Sequence, residues 1–267
     1  MPKNSSPRAK SVPPSRGETC LKGSSGKPRK EHPKKAKALV ERILPELLLP
    51  AGHPEAFLAA LEGGADAIYL GIDQFNARNR AKNFQLNELP ALIKKAREFE
   101  SKVYLTLNTL IKNNEIKNLI KILSCLEHIP IDALIIQDWG VFGLIKKHFP
   151  DLKLHGSTQI GIHNSLEANF HSKLGFERVI MARELSWTEL EMISQRSKAH
   201  LEIFAHGALC YSFSGYCLMS SWLGGNSANR GQCRQPCRQL YHSPSGADRI
   251  FCMKDFELID YLPQICA

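Results

Sequence analysis

No stretch of this sequence stays apolar for anything near the roughly 18 residues that a membrane-spanning helix requires, so none is expected. The N-terminus lacks the apolar core of a secretory signal, which points to the cytoplasm and a reducing compartment. Eight cysteines in 267 residues are then read as metal ligands or catalytic thiols rather than disulfides. Cys-x2-Cys knuckles, the usual zinc spacing, are missing as well. Acidic residues are scarce in one place only. Residues 1–37 hold eleven Lys/Arg against two acids, which leaves 24 of each sign for 38–267. The net charge of +9 therefore belongs to the N-terminal segment, and the remainder is neutral.

That segment is rich in Pro, Ser, Gly and Lys and has no apolar periodicity, so residues 1–40 are expected to form a disordered basic tail. Its charge suits either a solubilising role or a salt-sensitive attraction to RNA phosphates. From Glu46 onward short apolar runs alternate with segments of helical period. The runs are 46–49, 67–72, 103–108, 133–137, 153–155, 178–182 and 201–205. Between them lie helical patterns over 55–62, 88–99, 115–126 and 166–174. Asn164 with Glu167 and Ser186 with Glu189 mark helix starts, and Gly175 marks a stop. Seven strand–helix steps predict a parallel α/β sheet, with a TIM-like (β/α) barrel as its closure and strand eight absent. The domain is placed at 41–267, with a cysteine-rich loop at 207–252.

In such barrels chemistry sits at the C-terminal ends of the strands. There the sequence places Asn76 to Arg80, Asn108, Gln137, Asp138, Ser157, Gln159, Arg183 and His206. Asp138 and Ser157 suit helix caps. Asn108, Gln159, Arg183 and His206 are the candidate catalytic groups of a polar pocket. Arg78 and Arg80 are candidates for binding an anionic substrate. His53, His155 and His206 can serve as acid–base groups or as structural hydrogen bonders.

Five of the eight cysteines fall within 210–252. Cys210, Cys217 and Cys233, with Cys252 or Cys237, can supply four thiolates to an iron–sulfur cluster or a zinc ion. A thiol peptidase with His206 as base is the other chemistry open to them, although no third orienting group is apparent.

The segment EIFAHGALCYSFSGYCLMS carries a highly specific pattern at Glu202, Phe204, Gly207, Ala208, Leu209, Cys210, Gly215, Cys217, Met219 and Ser220. It resembles the collagenase-like U-32 peptidase family. The likeness extends upstream through FNARNRAKNF and downstream through NSANRGQC and MKDFELID. The resemblance implies a barrel, and it implies either a peptidase or an RNA hydroxylation protein with a 4Fe–4S cluster. Relatives of the second kind act on transfer RNA uridine or ribosomal RNA cytidine, and others take part in ubiquinone synthesis. It further implies cluster ligands at Cys210, Cys217 and Cys233, with Cys252 preferred as the fourth over Cys237. Family members continue into an eighth strand, so a protein partner that completes the barrel is a further expectation, as is a non-catalytic role lending the cluster to a complex.

Overall fold

The computed structural model describes residues 44–266, and the tail expected at 1–40 lies outside them. Seven parallel strands run in chain order across one sheet. They are β1 (Leu48–Ala51), β2 (Ala67–Gly71), β3 (Lys102–Leu107), β4 (Ala133–Ile136), β5 (Leu154–Gly156), β6 (Arg178–Ile180) and β7 (His200–Glu202). Helices α1 (Pro54–Glu62), α2 (Leu89–Arg97), α3 (Ile116–Leu126), α4 (Trp139–His148), α5 (Ser165–Leu174) and α6 (Trp187–Arg196) alternate with them.

Local chemistry sets the helix starts. Pro54 opens α1 behind His53, whose Nδ1 accepts from Ala56 N at 3.2 Å. Asp138 caps α4, accepting from Val141 N at 3.0 Å. At α6, Ser186 and Glu189 form the reciprocal capping box that their spacing predicts. Gly175 ends α5 in the left-handed region, at φ 99°.

The strands alternate their side chains between two layers. Outward, Ile68, Leu70, Leu105, Leu134, Ile136 and Val179 pack on Phe57, Leu61, Ile93, Leu123 and Ile145 of the helices. Each such buried side chain contributes about 1.5–3 kcal/mol, so this layer carries most of the stability. Inward lie Ala67, Tyr104, Ala133, Ile135 and Ile180. Two of these five are alanines, and the small side chains leave room for charge.

That charge shows how the sheet curls. Glu46, just before β1, accepts from Arg178 Nη1 of β6 at 2.6 Å, from the Tyr104 hydroxyl at 2.7 Å and from Lys102 Nζ at 2.7 Å. In a flat sheet β1 and β6 would stand about 24 Å apart, five strand spacings. The ion pair is possible only because the sheet is rolled into a half-barrel. Burial works against the charge on Glu46, but hydrogen bonds from Arg178, Lys102 and Tyr104 outweigh it and bring the carboxyl down to about 2. Arg178 also lies 3.4 Å from Glu202 of β7. Glu46 holds the guanidinium more closely, so burial prevails at Glu202 and raises its carboxyl to about 7. His155, buried against Tyr104, is held neutral by burial and by Arg178, down to about 3. The strand-end histidine of β5 is therefore an interior group of this network and does not stand at the rim.

Candidate functional site above the strand ends

After β7 the chain leaves the sheet. Strand β8 (His206–Ala208) pairs antiparallel with β11 (Asp255–Glu257), and this clasp closes the loop that holds the cysteines. Within the loop lie a short helix α7 (Met219–Gly224) and a hairpin, β9 (Tyr241–Ser243) with β10 (Gly246–Asp248). A last turn, α8 (Leu262–Ile265), follows the clasp.

Polar contacts lash the loop to the barrel rim. Glu184, after β6, accepts from the Ser214 amide and from its hydroxyl at 2.9 Å. Arg230 forks onto the Glu115 carboxylate ahead of α3, with one branch at 2.9 Å. Phe213 stacks on His163 with ring centroids 4.6 Å apart. Two glycines make close approach possible. A Cβ on Gly231 would stand 2.2 Å from the Asn76 carbonyl oxygen, and one on Gly215 would meet Gln159 Nε2 at 3.3 Å. Both have positive φ, which glycine tolerates without strain. The loop thus covers the rim at the ends of β2 and β5.

Beneath it the expected pocket residues take definite positions. Asn108 Oδ1 accepts from Ala77 N at 2.9 Å, and its amide reaches Ser157 Oγ at 3.5 Å, so it ties the loop after β2 to the end of β5. Arg78 donates to the Tyr69 hydroxyl at 2.9 Å and lies over that ring. Burial raises the Tyr69 phenol, while Arg78 and Arg183 pull it back, so both guanidinium groups stand near it. Arg183 covers the Phe204 ring at 5.9 Å. Among the described residues neither Arg78 nor Arg183 has a carboxylate partner. Arg80 is exposed farther out. Asp138 and Ser157 serve as caps, as their residue types suggest. Tyr69 is not among the expected site residues, because an aromatic residue in a strand signals core before it signals a site, and Phe204, part of the diagnostic pattern, lies just past β7.

The sulfurs accept hydrogen bonds in a repeated way. Met219 N donates to Cys217 Sγ at 3.4 Å and Gln235 N to Cys233 Sγ at 3.3 Å, each from two residues onward. Ser220 Oγ reaches Cys233 Sγ at 3.8 Å, and Ser212 Oγ lies 3.2 Å from Cys210 Sγ. Such donors relieve negative charge on a ligating thiolate. Cys237 is pushed up by burial and then by Cys210, Cys233 and Cys217, with Arg238 opposing. Cys237 therefore lies within electrostatic reach of Cys210, Cys217 and Cys233. Cys252, exposed as Cys233 is, directs its thiol at the Met253 carbonyl at 3.6 Å.

Convergence stops short of coordination. Among the described residues no three Cys, His, Asp or Glu side chains gather into a group that could hold a metal ion. Spacing predicts the sulfurs of 210, 217 and 233 within a few ångströms of one another, and the structure does not bring them so close. In chemistry, though not in separation, the donor set fits a four-thiolate cluster. Arg230, near the cysteines in sequence, is spent on Glu115. His206 is exposed on β8, and among the described residues it makes no side-chain hydrogen bond of the kind that orients a catalytic base.

A curled parallel half-barrel whose rim is covered by a cysteine loop defines the class. The chain belongs to Peptidase family U32, whose pattern matches residues 52–267. An uncharacterized protease of Methanocaldococcus jannaschii is 37% identical over 84% of this chain and 58% of its own length. A 23S rRNA 5-hydroxycytidine synthase of Escherichia coli K12 is 39% identical over 77% of this chain and 31% of its own. The tRNA hydroxylation protein P of the same organism is 36% identical over 76% and 45%. The chain thus spans about half the length of these relatives, or less. A solved U32 peptidase shares the fold at TM-score 0.52 and 14% identity, covering 66% of this chain and 74% of that one. No helix among the described residues is long and apolar enough to cross a membrane.

Proposed function

We propose that this chain belongs to an RNA-hydroxylating protein of the U32 family, acting on a base of tRNA or rRNA in the cytoplasm. Cys210, Cys217, Cys233 and Cys237 would hold a 4Fe–4S cluster, and the rim below would receive the base. The observation that carries the reading is the cysteine loop itself. It offers backbone and hydroxyl donors to three sulfurs and lies tethered over a rim that bears two guanidinium groups without carboxylate partners. Two relatives named for RNA hydroxylation support the same reading.

A bound cluster would supply one-electron chemistry next to the substrate. The chain's own residues supply the rest. Arg78 and Arg183 offer cations to phosphate oxygens at the mouth. Asn108 holds the loop after β2 in place, and Gly215 lets the cysteine loop sit low enough to shield the pocket from water. A peptidase finds less support, since His206 lacks an orienting partner among the described residues.

Anaerobic purification followed by an absorption spectrum and iron and sulfide analysis tests the cluster. About four irons and four sulfides per chain are expected from the cluster type. Ribonucleoside mass spectrometry of RNA from cells lacking the gene tests the substrate, with loss of one hydroxylated nucleoside expected. A colourless, iron-free protein that cleaves gelatin and is blocked by a thiol reagent would reverse the reading.

A further inference from the structure

The loop from 209 to 254 holds five Lys/Arg against one acid, although residues 38–267 carry 24 of each sign. The rest of that span has the matching excess of acid, so the domain's charge is polarised toward its cysteine loop. Arg230 is spent on Glu115, and Arg238 reaches Asp255 at 3.4 Å. Arg234, Arg249 and Lys254 are exposed, and among the described residues none of them forms an ion pair. Arg249 Nη1 donates to the Arg238 carbonyl at 2.7 Å, which lays the two basic stretches side by side. Arg234 N donates to Ser220 Oγ at 3.1 Å, and that hydroxyl lies 3.8 Å from Cys233 Sγ, so the patch adjoins the thiols. Aliphatic side chains stand exposed among the cations: Leu240 at 49%, Ile250 at 64% and Met253 at 43%. An exposed apolar patch rimmed by charge marks an interaction site.

We propose that this face of the cysteine loop docks a small acidic electron-carrier protein. Arg234, Arg249 and Lys254 steer it, and Leu240, Ile250 and Met253 form the apolar contact. This rests on the cluster reading above and extends it to a partner. One electron passes between the carrier's centre and the cluster, one being oxidised as the other is reduced, and no bond forms or breaks. Electron transfer weakens steeply with distance, so a carrier must sit against the loop that holds the thiols and not on the outer helices. The surplus of acid elsewhere on the domain turns an acidic partner toward the loop. A basic face also attracts RNA, but single strands are held by cations beside aromatic rings on which bases stack. Here the exposed side chains among the cations are aliphatic, and the neighbouring Tyr241 and Phe251 rings are half-buried against each other. An apolar centre within a charged margin is the anatomy of a protein contact.

The test uses the full chain, prepared anaerobically, with a labelled acidic plant-type ferredoxin as the probe. Association followed by fluorescence anisotropy should be measurable at low salt and weaken as salt rises, as steered encounters do. Arg249→Glu combined with Lys254→Glu should slow association about tenfold and flatten its salt dependence, with iron content and urea midpoint unchanged. Ile250→Ser should speed dissociation without altering the salt slope, and it serves if the double variant fails to fold. On mixing with dithionite-reduced ferredoxin, the wild type should reoxidise the probe, and the double variant should do so about tenfold more slowly. A wild type that does not bind, or a double variant that associates equally fast, overturns the docking face. Loss of iron from the double variant means that the cations only balance the cluster. A double variant that loses affinity for tRNA but not for ferredoxin assigns the face to RNA. Either of these results overturns the proposal as well. Association is read with or without iron, so an iron-free chain sinks the cluster reading separately from the docking face.

Discussion

The fourth ligand of the proposed cluster turns on two single side chains, Cys237 and Cys252. Cys237 lies one short turn from Cys233 in sequence, which reads as pointing away, yet Gln235 between them adopts a left-handed conformation at φ 53° and turns the chain back. Burial and the charges of Cys210, Cys233 and Cys217 then act on Cys237 together. Nothing local in the sequence announces that turn, because glutamine seldom adopts positive φ. Cys237→Ser should therefore lose iron as fully as Cys210→Ser, whereas Cys252→Ser should retain it. Iron content of anaerobically prepared variants decides this, and retention in Cys237→Ser would return the fourth place to Cys252.

Strands and helices were far more legible than the site. All seven expected strands are present, because a parallel strand buried on both faces reads as an uninterrupted apolar run. β1, expected from residue 46, is found at Leu48–Ala51, and the runs expected to reach 182 and 205 stop at Ile180 and Glu202. Glu46 and Leu47 are drawn off by Arg178 and by Asp66, contacts that no local pattern encodes. Helix starts were equally readable where a capping residue stood at the right spacing. At α6 the Ser186 hydroxyl accepts from Glu189 N at 3.4 Å, and the Glu189 carboxylate accepts from Ser186 N at 2.7 Å. Ser186→Ala should cost about 1 kcal/mol of stability, measurable as a lower urea midpoint with an unchanged slope.

Over the whole half-barrel, two buried groups set opposing responses to pH. Glu202 has its carboxyl raised to about 7 from an ordinary 4.5, burial being the main cause. Between those values the folded chain keeps a proton that the unfolded chain has released. The stability tied to Glu202 is thus present below 4.5 and lost as pH rises through about 7. His155 runs the other way. Its ring is held near 3 against 6.5 when unfolded, so its contribution is present above 6.5 and lost as pH falls toward 3. Across 4.5 to 6.5 the two partly cancel. Glu202→Gln removes one side, and its stability should climb with pH through that window more steeply than the wild type. Parallel curves of urea midpoint against pH for the two proteins would show that Glu202 does not titrate there.

The clasp between β8 and β11 also has a topological consequence. Because residues 206–208 pair with 255–257, everything from 209 to 254 is a closed loop whose ends are fastened to each other. Its exposed tip lies at Pro244–Ser245, between β9 and β10. A protease that nicks this tip cuts the chain once without freeing either piece, since the clasp, the β9–β10 pairing and the packing of Phe251 on Tyr211 and Tyr241 all cross the cut. Such a nicked protein should elute as one species in native chromatography and separate into two bands only in denaturant. The four thiols lie on the N-terminal side of the cut, so the nicked form should retain the cluster proposed above.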